Sequence, residues 1–487
     1  MILSSTAKDF LGNEAKILFH DIYITDALIK KQQERYLSAI KAFEQNFGEK
    51  NISIYNAPGR SEICGNHTDH QHGTVLAASI NLDTLAITAP REDGVIEILS
   101  EGYPKLQLTT DNLSMVEEEK GTTASLVKGI LNRLQELGYH IGGFAAYITS
   151  DVPAGAGLSS SAAFEVVIGT IISGLYNHME IDSVTIAQVS QYAENVYFGK
   201  PCGLMDQMAC SYGGLIHIDF ENPENPLVTR ARSNFNHLPY SLCIVNTRGS
   251  HADLTDDYAQ IPKDMKAIAN YFNADFLRQV NPTNFFAEIP KLRKACDDRA
   301  ILRAFHFFDE QQRVEMANKA LEKTDFNYFL NYVRQSGLSS FQYLQNVYSP
   351  NDPTHQSISI ALATSEHILK DHGVCRVHGG GFAGTIQAFV EDDFVSTSEQ
   401  IRKHGQSCYL VDHILRSGPV RILRLAHRGP QFRHPQPLHE RIRGDVHIPR
   451  SPDAPGNRRN KTDTQEIETP CACFSSRISR NSLHTAS

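Results

Sequence analysis

Between Ala57 and Gly73 the chain reads Ala-Pro-Gly-Arg-Ser-Glu-Ile-Cys-Gly-Asn-His-Thr-Asp-His-Gln-His-Gly, which sets Arg60, His67 and Asp69 among three glycines just after a strand-like apolar segment. Buried polar side chains must each find partners, so a stretch this polar is not core filling. Glycines this closely spaced mark backbone that takes positive φ or lies against something. The chemistry indicated is a loop that holds a polyol and neighbours a phosphate. A second stretch, Ser150-Asp-Val-Pro-Ala-Gly-Ala-Gly-Leu-Ser-Ser-Ser-Ala163, places Gly155, Gly157, Ser159, Ser160 and Ser161 in a loop that opens a helix. Free backbone N–H groups and the positive end of the helix dipole then face one spot, which suits a phosphate. No Gly-Lys-Ser/Thr follows, and the spacing and downstream acid of a dinucleotide fingerprint are missing. Taken by itself, this stretch is equally a tight strand-to-helix turn with a serine cap.

A nucleoside triphosphate carries close-packed negative charge, and a chain with formal charge -9 meets it with magnesium rather than with lysines alone. Magnesium takes oxygen ligands, typically one or two from the protein. Ser161 and Glu194 are the candidate ligands; a solvated helix position is the alternative for Glu194. Phosphoryl transfer to a hydroxyl also needs a proton acceptor and a charge that steadies the transition state. Asp206, in Gly203-Leu-Met-Asp-Gln207, is the candidate base, and Arg60 is the candidate counter-charge. A surface ion pair is the alternative role for each.

The chain has 487 residues and is 41% apolar, enough for two or three domains and too apolar for a wholly disordered protein. Its negative charge argues against a nucleic-acid binder. No apolar run approaches the roughly 18 residues of a membrane helix, and Met1-Ile-Leu-Ser-Ser lacks the basic and apolar regions of a secretory leader, so a cytoplasmic protein is expected. Nine cysteines, most of them scattered, resemble neither a disulfide framework nor a zinc knuckle. The spacing of His67, His70 and His72 is not the i, i+4 pair of a helical zinc motif.

To position these residues the sequence offers an amphipathic helix carrying Tyr36, Leu37, Ile40, Phe43 and Phe47, which Gly48 stops. Strands are predicted over Ile52–Tyr55, Leu85–Ala89 and Val95–Leu99, the last two joined as a hairpin by Glu92-Asp93-Gly94. A helix over Ala124–Leu137, a strand over Phe144–Thr149 and a buried helix bearing Val166, Val167, Ile168, Ile171 and Ile172 follow. A further helix with Ile186, Val189, Ala193 and Val196 on one face carries Glu194. From about Ser241 a second α+β set begins: a strand over Leu242–Asn246, many helices, a helix over Thr354–Leu369 capped by Thr354, a strand near Arg376, Gly379-Gly-Gly381, and extended Thr385–Val390. From Val411 on, 13 Lys or Arg face 7 Asp or Glu and eight prolines intervene; such a stretch cannot offset its ordering entropy.

Together these stretches resemble the GHMP small-molecule kinases and, within them, the galactokinases. Gly59-Arg-Ser-Glu-Ile-Cys-Gly-Asn-His-Thr-Asp69 is similar to the signature Gly-Arg-x-x-x-x-Gly-Glu-His-Thr-Asp, and Gly155-Ala-Gly-Leu-Ser-Ser-Ser-Ala-Ala163 to the ATP-phosphate loop. Pro201-Cys-Gly-Leu-Met-Asp-Gln207 resembles the catalytic Asp segment, and His378-Gly-Gly-Gly-Phe-Ala-Gly384 the C-terminal glycine motif. The likeness covers roughly residues 30 to 410. It implies a two-domain α+β fold with a mixed N-terminal sheet, a ferredoxin-like C-terminal domain and the active site at their junction. The corresponding divisions are a helical segment over 1–50, an N-terminal domain over 51–238, a C-terminal domain over 239–410 and a disordered, non-native-looking tail over 411–487. It further implies ATP and magnesium, transfer to the anomeric hydroxyl of galactose, and a monomer or weak homo-oligomer that binds neither nucleic acid nor membrane. Carried across, Arg60 and Asp206 are catalytic, Asn66, His67, Asp69 and Tyr258 contact the sugar, and Gly155, Gly157, Ser159, Ser160, Ser161, Gly380 and Gly381 bind the nucleotide, with Ser161 and Glu194 on the metal.

Two departures stand out. Asn66 occupies the position where most galactokinases carry a Glu that contacts sugar hydroxyls, which leaves sugar choice open and keeps a galacturonate kinase as the alternative. The chain also changes character after Ser407-Cys-Tyr409, where the family finishes a strand; losing that strand would leave an unpaired edge. A non-catalytic sensor of galactose and ATP, and a chain whose tail prevents folding, are the remaining readings.

Overall fold

The first motif is strand rather than loop as far as Cys64, and that places Arg60. The structure is a computed structural model and describes residues 1–411 apart from 14–15, 24–25, 156, 232–238, 248, 250–253, 383 and 395–406. The chain opens with β1 (Ile2–Leu3), α1 (Ser4–Asn13), α2 (Lys16–Tyr23) and α3 (Asp26–Phe47), then β2 (Asn51–Cys64) and β3 (Thr74–Arg91). β4 (Val95–Ser100), β5 (Leu106–Thr109), α4 (Thr123–Glu136), β6 (Gly143–Ser150), α5 (Ser160–Tyr176), α6 (Ser183–Tyr192), α7 (Met205–Tyr212), β7 (Leu215–Asp219) and β8 (Leu227–Arg230) follow. They build an eight-stranded mixed sheet in the order β1-β2-β3-β6-β4-β5, with β7 added to the first part of β3 and β8 to β7. The remainder is β9 (Tyr240–Asn246), α8 (Thr255–Tyr271), α9 (Pro282–Ala295), α10 (Asp298–Glu322), α11 (Phe326–Ser339), α12 (Ser357–Leu369), β10 (Gly373–Val377), β11 (Thr385–Glu391) and β12 (Ser407–Val411). Its four strands pair antiparallel in the order β10-β11-β9-β12.

Residues alternate between the two faces of a strand, and both faces of the large sheet are covered. Ile52, Ile54, Leu85 and Ile87 pack against α1 to α3, while Tyr55, Ala57, Ala86 and Ala146 face α4 and α5. The second core runs on into Leu242, Ile244 and Phe329 of the C-terminal half. One buried carboxylate fixes the N-terminal helices to the sheet: Asp83 accepts from Tyr23 Oη at 2.7 Å, Asn56 Nδ2 at 3.0 Å and Arg35 Nη1 at 2.7 Å.

Three expectations change. β3 and β4 are not hairpin partners, because β6 lies between them, antiparallel to β3 and parallel to β4. Glu92-Asp93-Gly94 reverses the chain, but a reversal does not dictate pairing, and Gly143 lies so close to Val95 that a Cβ there would come within 2.6 Å of its carbonyl oxygen. The helix expected from Thr354 begins at Ser357, with Gln356 ahead of it and no side-chain cap; Thr354 instead bonds Asp352. The last strand is kept, since Ser407–Val411 pairs with β9. The expected disordered tail lies, past Val411, outside the described residues. Among the described residues no helix is long and apolar enough to cross a membrane.

Without the Asp83 carboxylate the largely buried Arg35 guanidinium keeps only Asp151, at 3.3 Å, as a counter-charge, and Tyr23 and Asn56 lose their shared acceptor. Asp83→Ala is expected to cost about 3–5 kcal/mol, read as a lowered urea midpoint. A loss under about 1 kcal/mol would contradict this role.

Candidate active site

Arg60 lies on β2 and is 5% exposed. Its Nε donates to Asp206 Oδ1 and its Nη2 to Asp206 Oδ2, each at 2.7 Å, a fork-to-fork pair. Nη1 turns the other way, to the carbonyl of Gly157 in the glycine-serine loop. Asp206 sits in the first turn of α7, where the helix dipole favours an anion. Burial works against its charged form, but the Arg60 guanidinium, with help from Ser159 and Lys200, holds its carboxyl below the usual range.

The glycine-serine loop closes against this pair. Ser159, in the left-handed region at φ 58°, donates through Oγ to Asp206 Oδ2 at 2.5 Å. Its hydroxyl proton therefore goes to the carboxylate. Ser160 and Ser161 begin α5, so their amides belong to the helix end that lacks internal acceptors. Gly155 and Gly157 take φ of 72° and 69°. A Cβ on Gly157 would meet Thr385 Oγ1 at 2.8 Å, whereas at Gly155 there is open space, so backbone angle alone calls for glycine there.

A cavity of about 150 Å³ opens beside the Arg60–Asp206 pair and brings in Asn66, His67, Asp69 and Tyr258. Glu62, His70, Gly379, Gly380 and the 201–205 segment ahead of Asp206 complete its wall. Asp69 begins a short 3-10 turn and lies so near Gly203 that a Cβ there would come 1.8 Å from its Oδ2. His67 Nε2 donates to the Gly380 carbonyl at 2.9 Å, and Tyr258 Oη to the Gly381 carbonyl at 2.7 Å. The glycine motif, expected at the nucleotide, thus also forms a wall of this cavity through Gly379 and Gly380. Asn66 is 1% exposed and bonded on every side by protein. A larger open groove of about 420 Å³, lined by Arg133, Gln188, Tyr192 and Asn195, contains none of the candidate residues, so size does not pick out the site.

Glu194 lies outside the cavity, on a π-helical turn (Ala193–Phe198) that prolongs α6. Its Oε1 pairs with Lys200 at 2.8 Å and its Oε2 accepts from Gln207 Nε2 at 2.8 Å. Gln207 follows Asp206 directly, and its amide also reaches Glu165 at 3.1 Å, so the candidate metal ligand and the candidate base are joined through one side chain. Glu165 Oε1 and Gln207 Oε1 are buried with no hydrogen-bond partner. Both Glu194 oxygens are thus already bonded, and burial beside Glu194 pushes the Glu165 carboxyl well up; magnesium, which takes oxygen donors, would exchange the Lys200 contact at Glu194 for its own. Among the described residues no three His, Cys, Asp or Glu form a metal-holding group; one or two protein oxygens fit a metal that arrives on a nucleotide.

Sequence reasoning missed the residues that brace the first motif. Glu62 pairs with Arg376 at 3.0 Å, Gly65 N donates to Glu310 Oε1 at 2.9 Å, and His306 Nε2 donates to the Asn66 carbonyl at 2.9 Å. Glu62 was findable, two residues after Arg60 along one strand. Glu310, His306 and Arg376 come from distant elements and carried no local signal.

Two family models match the sequence: GHMP kinases N terminal domain over 125–214, and Galactokinase galactose-binding signature over 41–90. The chain carries the N-terminal domain of the GHMP kinases and the galactose-binding signature of the galactokinases. The kinase shares its fold with a Lactococcus lactis galactokinase solved with galactose, at 24% identity and TM-score 0.67, covering 79% of this chain and 99% of that one. A Methanococcus jannaschii mevalonate kinase matches at 15% identity and TM-score 0.52, over 73% of this chain and 96% of that one. A D-glycero-D-manno-heptose 1-phosphate kinase from Bacteriodes thetaiotaomicron does so at 16% and 0.51, over 77% and 100%.

Three histidines of the kinase are held neutral around the site. Burial, then His70, pushes His67 down to about 3; burial pushes His306 down to about 4 and His378 well below the usual range. Their folded values lie below the unfolded value of about 6.5, so between these limits the unfolded chain binds more protons. Stability is complete above about pH 6.5 and falls as pH drops, by up to about 1.4 kcal/mol per pH unit for each group. Thermal melts should show this decline between pH 6.5 and 5, above the range where carboxylates titrate. A melting temperature that stays level there would contradict neutral burial.

Proposed function

We propose that this kinase transfers the γ-phosphoryl group of ATP to the anomeric hydroxyl of galactose, giving galactose 1-phosphate and ADP. The observation that carries this reading is the Arg60–Asp206 pair: it stands in a small polar cavity at one end and touches the glycine-serine loop through Gly157 and Ser159 at the other. The galactose-binding signature spans the strand and loop that line that cavity.

In the reaction the anomeric oxygen attacks the γ-phosphorus, the new O–P bond forms, and the bond to the bridging oxygen breaks with its electron pair leaving on ADP. The hydroxyl proton passes to Asp206. A carboxylate held by Arg60 is a weak base. This suits a loose transition state, in which the hydroxyl becomes strongly acidic only once bonding to phosphorus is well advanced. Arg60 keeps Asp206 ionised and fixed in angle, and its remaining charge steadies the oxygens of the transferring group. The amides at the start of α5 receive phosphate oxygens. Ser161 and Glu194 would hold magnesium, which neutralises charge on the β- and γ-phosphates when bound. His67 and Tyr258 hold the glycine motif closed over the sugar, and Asp69 accepts from a sugar hydroxyl. A cytoplasmic setting fits this chemistry, since ATP is supplied there.

ADP release with Mg·ATP across a panel of hexoses should be fastest with galactose; no release with any sugar would reject the kinase reading. Asp206→Asn should lower kcat by about 100-fold or more while galactose still binds by calorimetry. Unchanged turnover would remove Asp206 from the reaction.

A further inference from the structure

Asn66 has nothing left to offer a sugar. A side-chain amide has two N–H donors and an oxygen with two lone pairs. Nδ2 donates to Glu62 Oε2 at 2.8 Å and to the Gly379 carbonyl at 2.7 Å, and Oδ1 receives Asn346 Nδ2 at 2.6 Å and Ser340 Oγ at 3.4 Å. The amide is saturated by the protein. Its neighbour on the same cavity wall is not.

Glu62 lies four residues earlier and lines the cavity with Asn66. Its Oε1 accepts from Arg376 Nη2 at 3.0 Å and its Oε2 from the Asn66 amide. Arg376 is itself anchored, donating through Nη1 to the Ile63 carbonyl at 2.8 Å. An ionised carboxylate has about four acceptor sites, so each oxygen keeps one after these bonds. Both neighbours are donors: burial raises the affinity of the carboxyl for a proton, while Arg376, the Asn66 amide and Arg60 work against it. We infer that Glu62, rather than position 66, supplies the carboxylate that selects the sugar, accepting a hydrogen bond from a ring or exocyclic hydroxyl, while Asn66 clips the strand to Gly379 and Asn346. The inference rests on the galactose-kinase reading and refines its pocket. The neutral residue at 66 therefore does not make the pocket neutral, and Glu62 disfavours the carboxylate of galacturonate.

The test is kcat/KM for galactose and for its 2-, 3-, 4- and 6-deoxy and deoxyfluoro analogues. A hydroxyl that donates to a carboxylate cannot be replaced by fluorine, which has no hydrogen to give. In the unmodified enzyme at least two positions, one for Glu62 and one for Asp69, should reject both replacements by tens-fold to about a hundredfold. In Glu62→Gln, rejection at one of them should shrink about tenfold while the others keep theirs. A loss of kcat/KM that is equal for all sugars would mean that Glu62 only supports Arg376, and would overturn the inference. If Glu62→Gln does not give a cooperative melt, Glu62→Gln/Arg376→Met removes both buried charges and is judged by the same ratios. Rejection of fluorine at fewer than two positions in the unmodified enzyme overturns the inference without any variant. Absence of ADP from galactose itself would instead bring down the reading beneath it.

Discussion

Arg60 is a cation kept where there is almost no water, and such a charge survives only if its donors are matched. Asp206 meets two of them edge to edge and the Gly157 carbonyl takes a third direction. That one guanidinium joins a strand, a helix start and a glycine loop from widely separated stretches of sequence. The joining has a chemical result: the carboxylate is aimed by the same contacts that lower its affinity for a proton. Moving any of the three segments would disturb orientation and charge together.

A second set of buried polar bonds ties the cavity to the C-terminal sheet and its helices. Glu62 to Arg376, Gly65 to Glu310, and the Asn66 carbonyl to His306 bridge elements about 240 to 310 residues apart in sequence. Pairs of this kind add little net stability, yet losing one partner is costly because the other is left buried and alone. Their value lies in geometry. An apolar seam could slide, whereas directional bonds at fixed backbone positions hold the two walls of a small cavity in register.

The sequence made Arg60, Asp206 and the glycine-serine turn visible because phosphate chemistry demands unusual residue types close together. The helix ending at Phe47 and the buried helix after Ser161 were legible for a simpler reason, their apolar spacing. What was hidden depended on partners. Nothing local says that β6 inserts between β3 and β4, since strand order is decided by which apolar faces meet. Nor could the amide at 66 be known to be saturated, because Asn346, Ser340 and Gly379 arrive from far along the chain. Ser159 is a further case: nothing near it in sequence says that its hydroxyl donates to Asp206, 47 residues on.

The wide turn at Ala193–Phe198 places Glu194 where Lys200 and Gln207 can reach it. Such a turn holds one residue more than an α-helical turn. Deleting a single residue there would restore the regular repeat and swing everything beyond it by about 100° around the axis. The Glu194 carboxylate and the segment leading to Asp206 are thereby locked to one surplus residue, so this stretch can tolerate exchange of side chains far better than any change in length.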